Sequence, residues 1–182
     1  KFWSANLGDF AAFSASRHSV RHYGATPVPM EAIKAAVQLA NNAPSACNRQ
    51  PCRVYCLSNK EKISEFLRIQ GGNRGFGHLA DKVLILTSSR KSFMLGDPFA
   101  VYVNGGIYLM NLSYALHFHK VAHCILGWAP FRENENFVRQ VLGIDDSEAI
   151  ICAMTCGSLP EEEFFLASSP RKDVEDTLFN ID

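Results

Sequence analysis

The sequence has 182 residues, 47% of them hydrophobic, and its 18 basic residues are balanced by 18 acidic ones. This length and composition suit one domain with one core, and the absence of net charge excludes a bulk positive field of the kind that non-specific nucleic-acid or anionic-membrane binding needs. No apolar run reaches the roughly 20 residues that cross a bilayer. The nearest, Phe99 to Phe118, is interrupted by Asn104, Asn111, Ser113 and His117, so it reads as a segment buried in protein.

In chain order, Met30, Ile33, Val37 and Ala40 recur at helical spacing behind Pro29, with Asn41-Asn42 before Pro44 as a stop. Arg53 to Ser58 reads as a short strand, Glu61 to Ile69 as a helix, and Gly71 to Gly77 as a glycine-rich loop. Lys82 to Ser88 contains the continuous apolar run Val83-Leu84-Ile85-Leu86, the pattern of a strand covered on both faces. Asp97-Pro98 opens a long helix to about His119 that is apolar nearly all round and needs cover on every side. Val121 to Leu126 is expected as a strand, Glu135 to Leu142 as a helix ending at Gly143, and Ala149 to Cys156 as a further buried strand. Helices alternating with short apolar strands indicate a three-layer α+β or α/β domain.

Two segments carry chemistry. In Arg17-His18-Ser19-Val20-Arg21 an extended backbone would turn Arg17, Ser19 and Arg21 to one side and let Val20 enter the core. Two guanidinium forks and a hydroxyl on one face suit a phosphate or an electron-rich ring edge; a basic solvated loop is the plainer alternative. The second segment, Pro44-Ser45-Ala46-Cys47-Asn48-Arg49-Gln50-Pro51, is stiffened by two prolines and offers the amides of Asn48 and Gln50 to a flat polar ligand.

Other patterns fail on context. Cys52/Cys56 and Cys152/Cys156 lack the spacing of a zinc knuckle, and His117, His119 and His123 fall on different helix faces or beyond the helix, so no metal site is expected. Gly71 to Gly77 precedes a strand and lacks Gly-Lys-Ser/Thr, which removes the P-loop and dinucleotide-fold readings. The six cysteines sit mostly among apolar residues, as reduced thiols of a cytoplasmic protein do. The chain begins at Lys1 with no signal-peptide pattern and without an initiator methionine, which is compatible with a piece of a longer polypeptide.

In this order and at this separation the two segments resemble the nitroreductase family, whose hallmarks are an N-terminal Arg-x-Ser-x-Arg/Lys string, a helix, a Pro-Ser-x-x-Asn-x-Gln-Pro loop and a basic residue near the C-terminus. The similarity continues through Gly105-Gly106, Asn111-Leu112, Cys124 to Gly127, Cys156 to Glu161 and Ser169-Pro170-Arg171, so it spans the chain from about Phe10 onward. It departs at Cys52, where many relatives have an aromatic residue, and in having little length for the helices that roof the active site in larger members.

The resemblance implies one α+β domain of three α/β/α layers, residues 1–182, with a mixed, mainly antiparallel sheet and a long central helix. It also implies a homodimer with FMN at the subunit interface. By residue, it implies that Arg17, Ser19 and Arg171, with His18 and Ser169 beside them, hold the FMN phosphate, and that Arg21 lies at the pyrimidine edge of the ring. Pro44, Ser45, Ala46, Asn48 and Gln50 would meet the flavin of the other subunit, and the backbone of Leu126 and Gly127 would face N5. The implied activity is electron transfer from NAD(P)H through the flavin to a small electron-poor acceptor such as a nitro or quinone compound. The flavin itself performs the chemistry and no side chain is the catalyst. Another flavin reaction, or a non-catalytic FMN-binding domain of a larger polypeptide, is the alternative. A cation at the N1/O2 edge fits either, since it stabilises the negative charge that reduction leaves there.

Overall fold

A computed structural model describes residues 8–93 and 97–181. The one-domain expectation extends over 1–182, so residues 1–7, 94–96 and 182 lie outside the described residues. The helices are α1 (Phe10–Ser16), α2 (Met30–Ala40), α3 (Lys60–Gln70), α4 (Ala100–Phe118) and α5 (Arg132–Leu142). The strands are β1 (Cys52–Leu57), β2 (Lys82–Ser89), β3 (Ala122–Gly127) and β4 (Glu148–Gly157). They form one sheet in the order β1-β2-β4-β3, and every described pairing is antiparallel.

The architecture is the expected α+β fold in three layers. On one face Ile63, Phe66 and Leu67 of α3 and Val138 of α5 pack against Val83, Ile85, Ala153 and Leu126; on the other, Ile33 and Ala36 of α2 and Leu112 and Leu116 of α4 pack against Leu84, Leu86 and Met154. Alternation along β2 therefore supplies both cores, which is why its apolar run is uninterrupted. Between Leu86 and Thr87 the register with β4 shifts, and the residue left over on β4 is Ile151. Gly105 of α4 lies against it: a Cβ there would stand 2.7 Å from Ile151 Cγ1, so only glycine lets the long helix approach the sheet this closely.

The expected elements are present with shifted ends. Helix α5 starts three residues before the anticipated Glu135, at Arg132, and α4 starts after Asp97 and Pro98, with Asp97 Oδ1 accepting from the N–H groups of Phe99 and Ala100 at 2.9 and 3.1 Å. Helix α1 has no counterpart in the periodicity. It buries no residue fully; Asp9 caps it through Ala12 N–H, and Phe10 and Phe13 lie 5.6 and 5.7 Å from the Tyr114 ring of α4.

Glu148, at the start of β4, is buried and accepts from Arg53 of β1, from the Tyr55 hydroxyl and from Thr87 of β2. The carboxylate thus ties three strands together at one sheet end. All six cysteines are unpaired, and Cys47 is exposed. No helix among the described residues is long and apolar enough to cross a membrane.

Candidate functional site

The segment from Arg17 to Gly24 belongs to no helix or strand and is tied to β3 and to the chain just beyond β4. The N–H of Val20 donates to the carbonyl of His123 at 2.9 Å, the N–H of Gly24 donates to the carbonyl of Ser158 at 3.0 Å, and the buried Val20 and Tyr23 anchor it. The Tyr23 hydroxyl reaches Thr155 Oγ1 at 2.8 Å and donates to the Thr155 carbonyl at 3.1 Å. Gly157 admits the Tyr23 ring, because a Cβ there would meet Cδ1 at 2.6 Å. Sequence reasoning did not anticipate Tyr23 as the anchor of this segment.

The motif residues meet at one thiol, although Arg17 also acts on His117 and His123. Arg17, Ser19 and Arg21 all act on the buried Cys124 of β3. Burial pushes that thiol up, while Arg21, a hydrogen bond from Ser19, and Arg17 pull against it. Arg21 is exposed, with its guanidinium 5.8 Å from the centre of the Phe76 ring. His18 and His22 point elsewhere: His18 lines a separate cavity and His22 lies 6.5 Å from the Phe164 ring.

The loop from Pro44 to Pro51 is held from outside by α4. Asn104 Oδ1 accepts from Ala46 N–H at 2.9 Å, and its Nδ2 donates to the Ala100 carbonyl at 2.7 Å. From inside, Ser45 Oγ accepts from Gln50 N–H at 2.9 Å, and Gln50 Nε2 donates to Asn48 Oδ1 at 3.2 Å. Cys47, Asn48 and Gln50 have φ of 52°, 53° and 47°, left-handed values that non-glycine residues adopt at a cost of order 1 kcal/mol or more each. The side chains of Asn48 and Gln50 are exposed, and Pro44, Ser45, Gln50, Cys52, Asn104 and Tyr108 help line a cavity of about 210 Å3. Cys52, pushed up to about 11 by burial, stays a neutral thiol there.

Leu126 is buried at the end of β3, and Gly127 is exposed, its carbonyl accepting from Gln70 Nε2 at 2.9 Å. Ser169 and Arg171 lie in the exposed C-terminal stretch, where Arg171 Nη1 donates to the Ser169 carbonyl at 2.6 Å. No hydrogen bond, ion pair or ring contact among the described residues joins Arg171 to Arg17, or the 17–21 segment to the 44–50 loop. Asn104, Tyr108, Cys124 and Gln70 were not expected at the site, Asn104 being read only as a break in an apolar run and Cys124 only as part of the family resemblance.

The family model described as the nitroreductase family matches residues 15–72 and 67–158. The chain belongs to this family. A curated 4-nitrobenzoate reductase of Pseudomonas putida is 23% identical, over 84% of this chain and 86% of its own. Among solved structures, a protein of Staphylococcus epidermidis described as a candidate NAD(P)H:FMN oxidoreductase superposes with a TM-score of 0.82 at 16% identity, covering 96% of this chain and 97% of its own. A nitroreductase candidate of Desulfovibrio desulfuricans in complex with FMN superposes with a TM-score of 0.78 at 18% identity, covering 96% and 98%.

The nitroreductase motif residues suit an anionic cofactor on a simple count of charges. Every ion pair among the described residues lies elsewhere, and none of their carboxylates pairs with Arg17, Arg21 or Arg171. A phosphate monoester brings nearly two negative charges, and guanidinium groups without a carboxylate partner are its natural complement.

Proposed function

We propose that the chain is an FMN-dependent oxidoreductase that passes electrons from NAD(P)H to a small electron-poor acceptor, such as a nitro or quinone compound, and works as a homodimer. The observation that carries this reading is the uncompensated face of Arg17, Ser19 and Arg21, laid along β3 in a chain of this family. Bound FMN would supply the redox chemistry, accepting hydride at N5 and releasing the electrons to the acceptor. The chain's own part is to bind, orient and tune.

In this reading Arg17, Ser19 and Arg171, with Ser169 alongside, hold the phosphate, while His18, their neighbour in sequence, lines a separate cavity. Arg21 stands at the N1/O2 edge as a fixed charge, and the backbone of Leu126 and Gly127 borders N5. Pro44, Ser45, Ala46, Asn48 and Gln50 reach the flavin of the second subunit, which agrees with the absence, among the described residues, of any hydrogen bond, ion pair or ring contact between this loop and the 17–21 segment. Two features support the dimer. Helix α4 leaves Tyr102, Val103, Ile107 and Met110 exposed, and beyond Pro160 the chain exposes Phe165, Leu178, Phe179 and Ile181. The unpaired thiols favour a reducing, cytoplasmic setting.

Loss of one charge-assisted partner at a phosphate costs about 1.5–3 kcal/mol. Arg17→Ala is therefore expected to weaken FMN retention about tenfold or more, measured as a dissociation constant by fluorescence titration. An unchanged constant removes Arg17 from the phosphate.

A further inference from the structure

His18 and Val20, which alternate with Arg17, Ser19 and Arg21, line a cavity of about 260 Å3 on their own side of the segment. His117, at the end of α4, contributes a ring whose Nε2 lies 2.7 Å from Ser16 Oγ, and Lys120, in the turn before β3, stands exposed at the rim. None of the residues lining this cavity is acidic, and among the described residues neither His18, His117 nor Lys120 forms an ion pair. The acidic run Glu161 to Glu163, which precedes Phe164 in sequence, is exposed and outside the lining. His123, also at the wall, has both ring nitrogens engaged, with Ser113 Oγ and the Val121 carbonyl, and offers nothing to a ligand.

The remaining wall is apolar, supplied chiefly by Val20, Phe164 and Leu166. A single cation, Lys120, beside imidazole groups and over an apolar wall, without the polar array that would read a sugar or a polyphosphate, selects a ligand with one anionic head and an apolar body. We propose that this cavity is a second ligand site that takes a small carboxylate with an aromatic or short aliphatic body. The site is separate from the flavin face and does not depend on the flavin reading. The carboxylate is met by Lys120 and His18, and the body lies against Val20, Phe164 and Leu166. A bare phosphate ion would satisfy the rim and leave the wall unfilled.

The test is calorimetric titration of the FMN-loaded protein with benzoate, in parallel with benzamide and inorganic phosphate, while the visible flavin spectrum is followed. The expected result is saturable binding of one benzoate per chain, without flavin release or spectral change, at least tenfold tighter than benzamide or phosphate. Lys120→Gln should weaken it about fivefold. Leu166→Asp, which sets a carboxylate at an exposed position of the wall, should abolish it while leaving the circular dichroism spectrum unchanged. Benzoate binding that perturbs the flavin spectrum and ignores Leu166→Asp belongs over the flavin ring and overturns the proposal. So does the absence of saturable binding, or equal binding of phosphate.

Discussion

His123 shows how a residue that looks like a candidate ligand becomes part of the core. Its Nδ1–H donates to the Val121 carbonyl at 3.0 Å, which fixes the neutral tautomer, and Nε2 then accepts from Ser113 Oγ at 2.8 Å. Burial pushes its pKa from 6.5 down to about 4, with the Val121 carbonyl opposing and the charges of Arg17 and His117 adding to the fall. Between these two values the unfolded chain binds the proton and the folded chain does not, so stability rises with pH through that window. A fall from pH 7 to pH 4 is expected to remove about 3 kcal/mol, at 1.36 kcal/mol per unit. Urea unfolding of wild type and His123→Gln checks this: the variant's profile should be flatter by that amount, and parallel profiles would refute the assignment.

Arg21 belongs to the same scale. If it stands at the flavin edge, Arg21→Met should make the bound flavin harder to reduce by tens of millivolts, at ~30 mV per 1.4 kcal/mol for two electrons, while most flavin stays bound. An unchanged midpoint potential would take Arg21 away from the edge. The alternation of Arg17, Ser19 and Arg21 was legible in the sequence because it is a local, period-two property. The partners of Ser16, Asn104 and Gln70 were not, because they lie 101, 58 and 57 positions away and are brought together only by the tertiary fold.

Among the elements, the clearest example is the pairing of α4 with the loop from Pro44 to Pro51. That helix is apolar all round, so periodicity could not say which side meets the sheet. Gly105 against Ile151 decides it, and the bulge responsible is invisible in β4's continuous apolar run. Asn104, the neighbouring position, turns its amide to the loop. Asn104→Ala leaves Ala46 N–H without its partner and should cost about 1–2 kcal/mol, most of it spent in loosening a loop that already holds left-handed residues. The expected outcome is weaker FMN retention with the thermal midpoint lowered by only a few degrees. Retention equal to wild type would mean that the loop needs no anchor from α4. The strands were legible to within a residue or two, since β2 and β4 are covered on both faces. Helix α1 escaped because it is 7 residues long and exposes most of its length.

At the scale of the whole molecule, two surfaces remain open in a single chain: the side of α4 bearing Tyr102, Val103, Ile107 and Met110, and the C-terminal stretch bearing Phe165, which is 100% exposed, and Ile181, which is 91% exposed. Apolar exposure of this extent is unusual for a monomer, and an obligate interface burying upwards of about 2,000 Å2 would cover it. The 17–21 segment and the 44–50 loop, joined by no hydrogen bond or ion pair among the described residues, would then belong to one site built from two. The central claim is that FMN is held where two chains meet. Size-exclusion chromatography of the protein mixed with excess FMN, read by in-line light scattering and visible absorbance, tests it directly. The account predicts one yellow peak with the mass of two chains and one flavin per chain. A colourless peak with the mass of one chain, its flavin eluting separately with the small molecules, would contradict it.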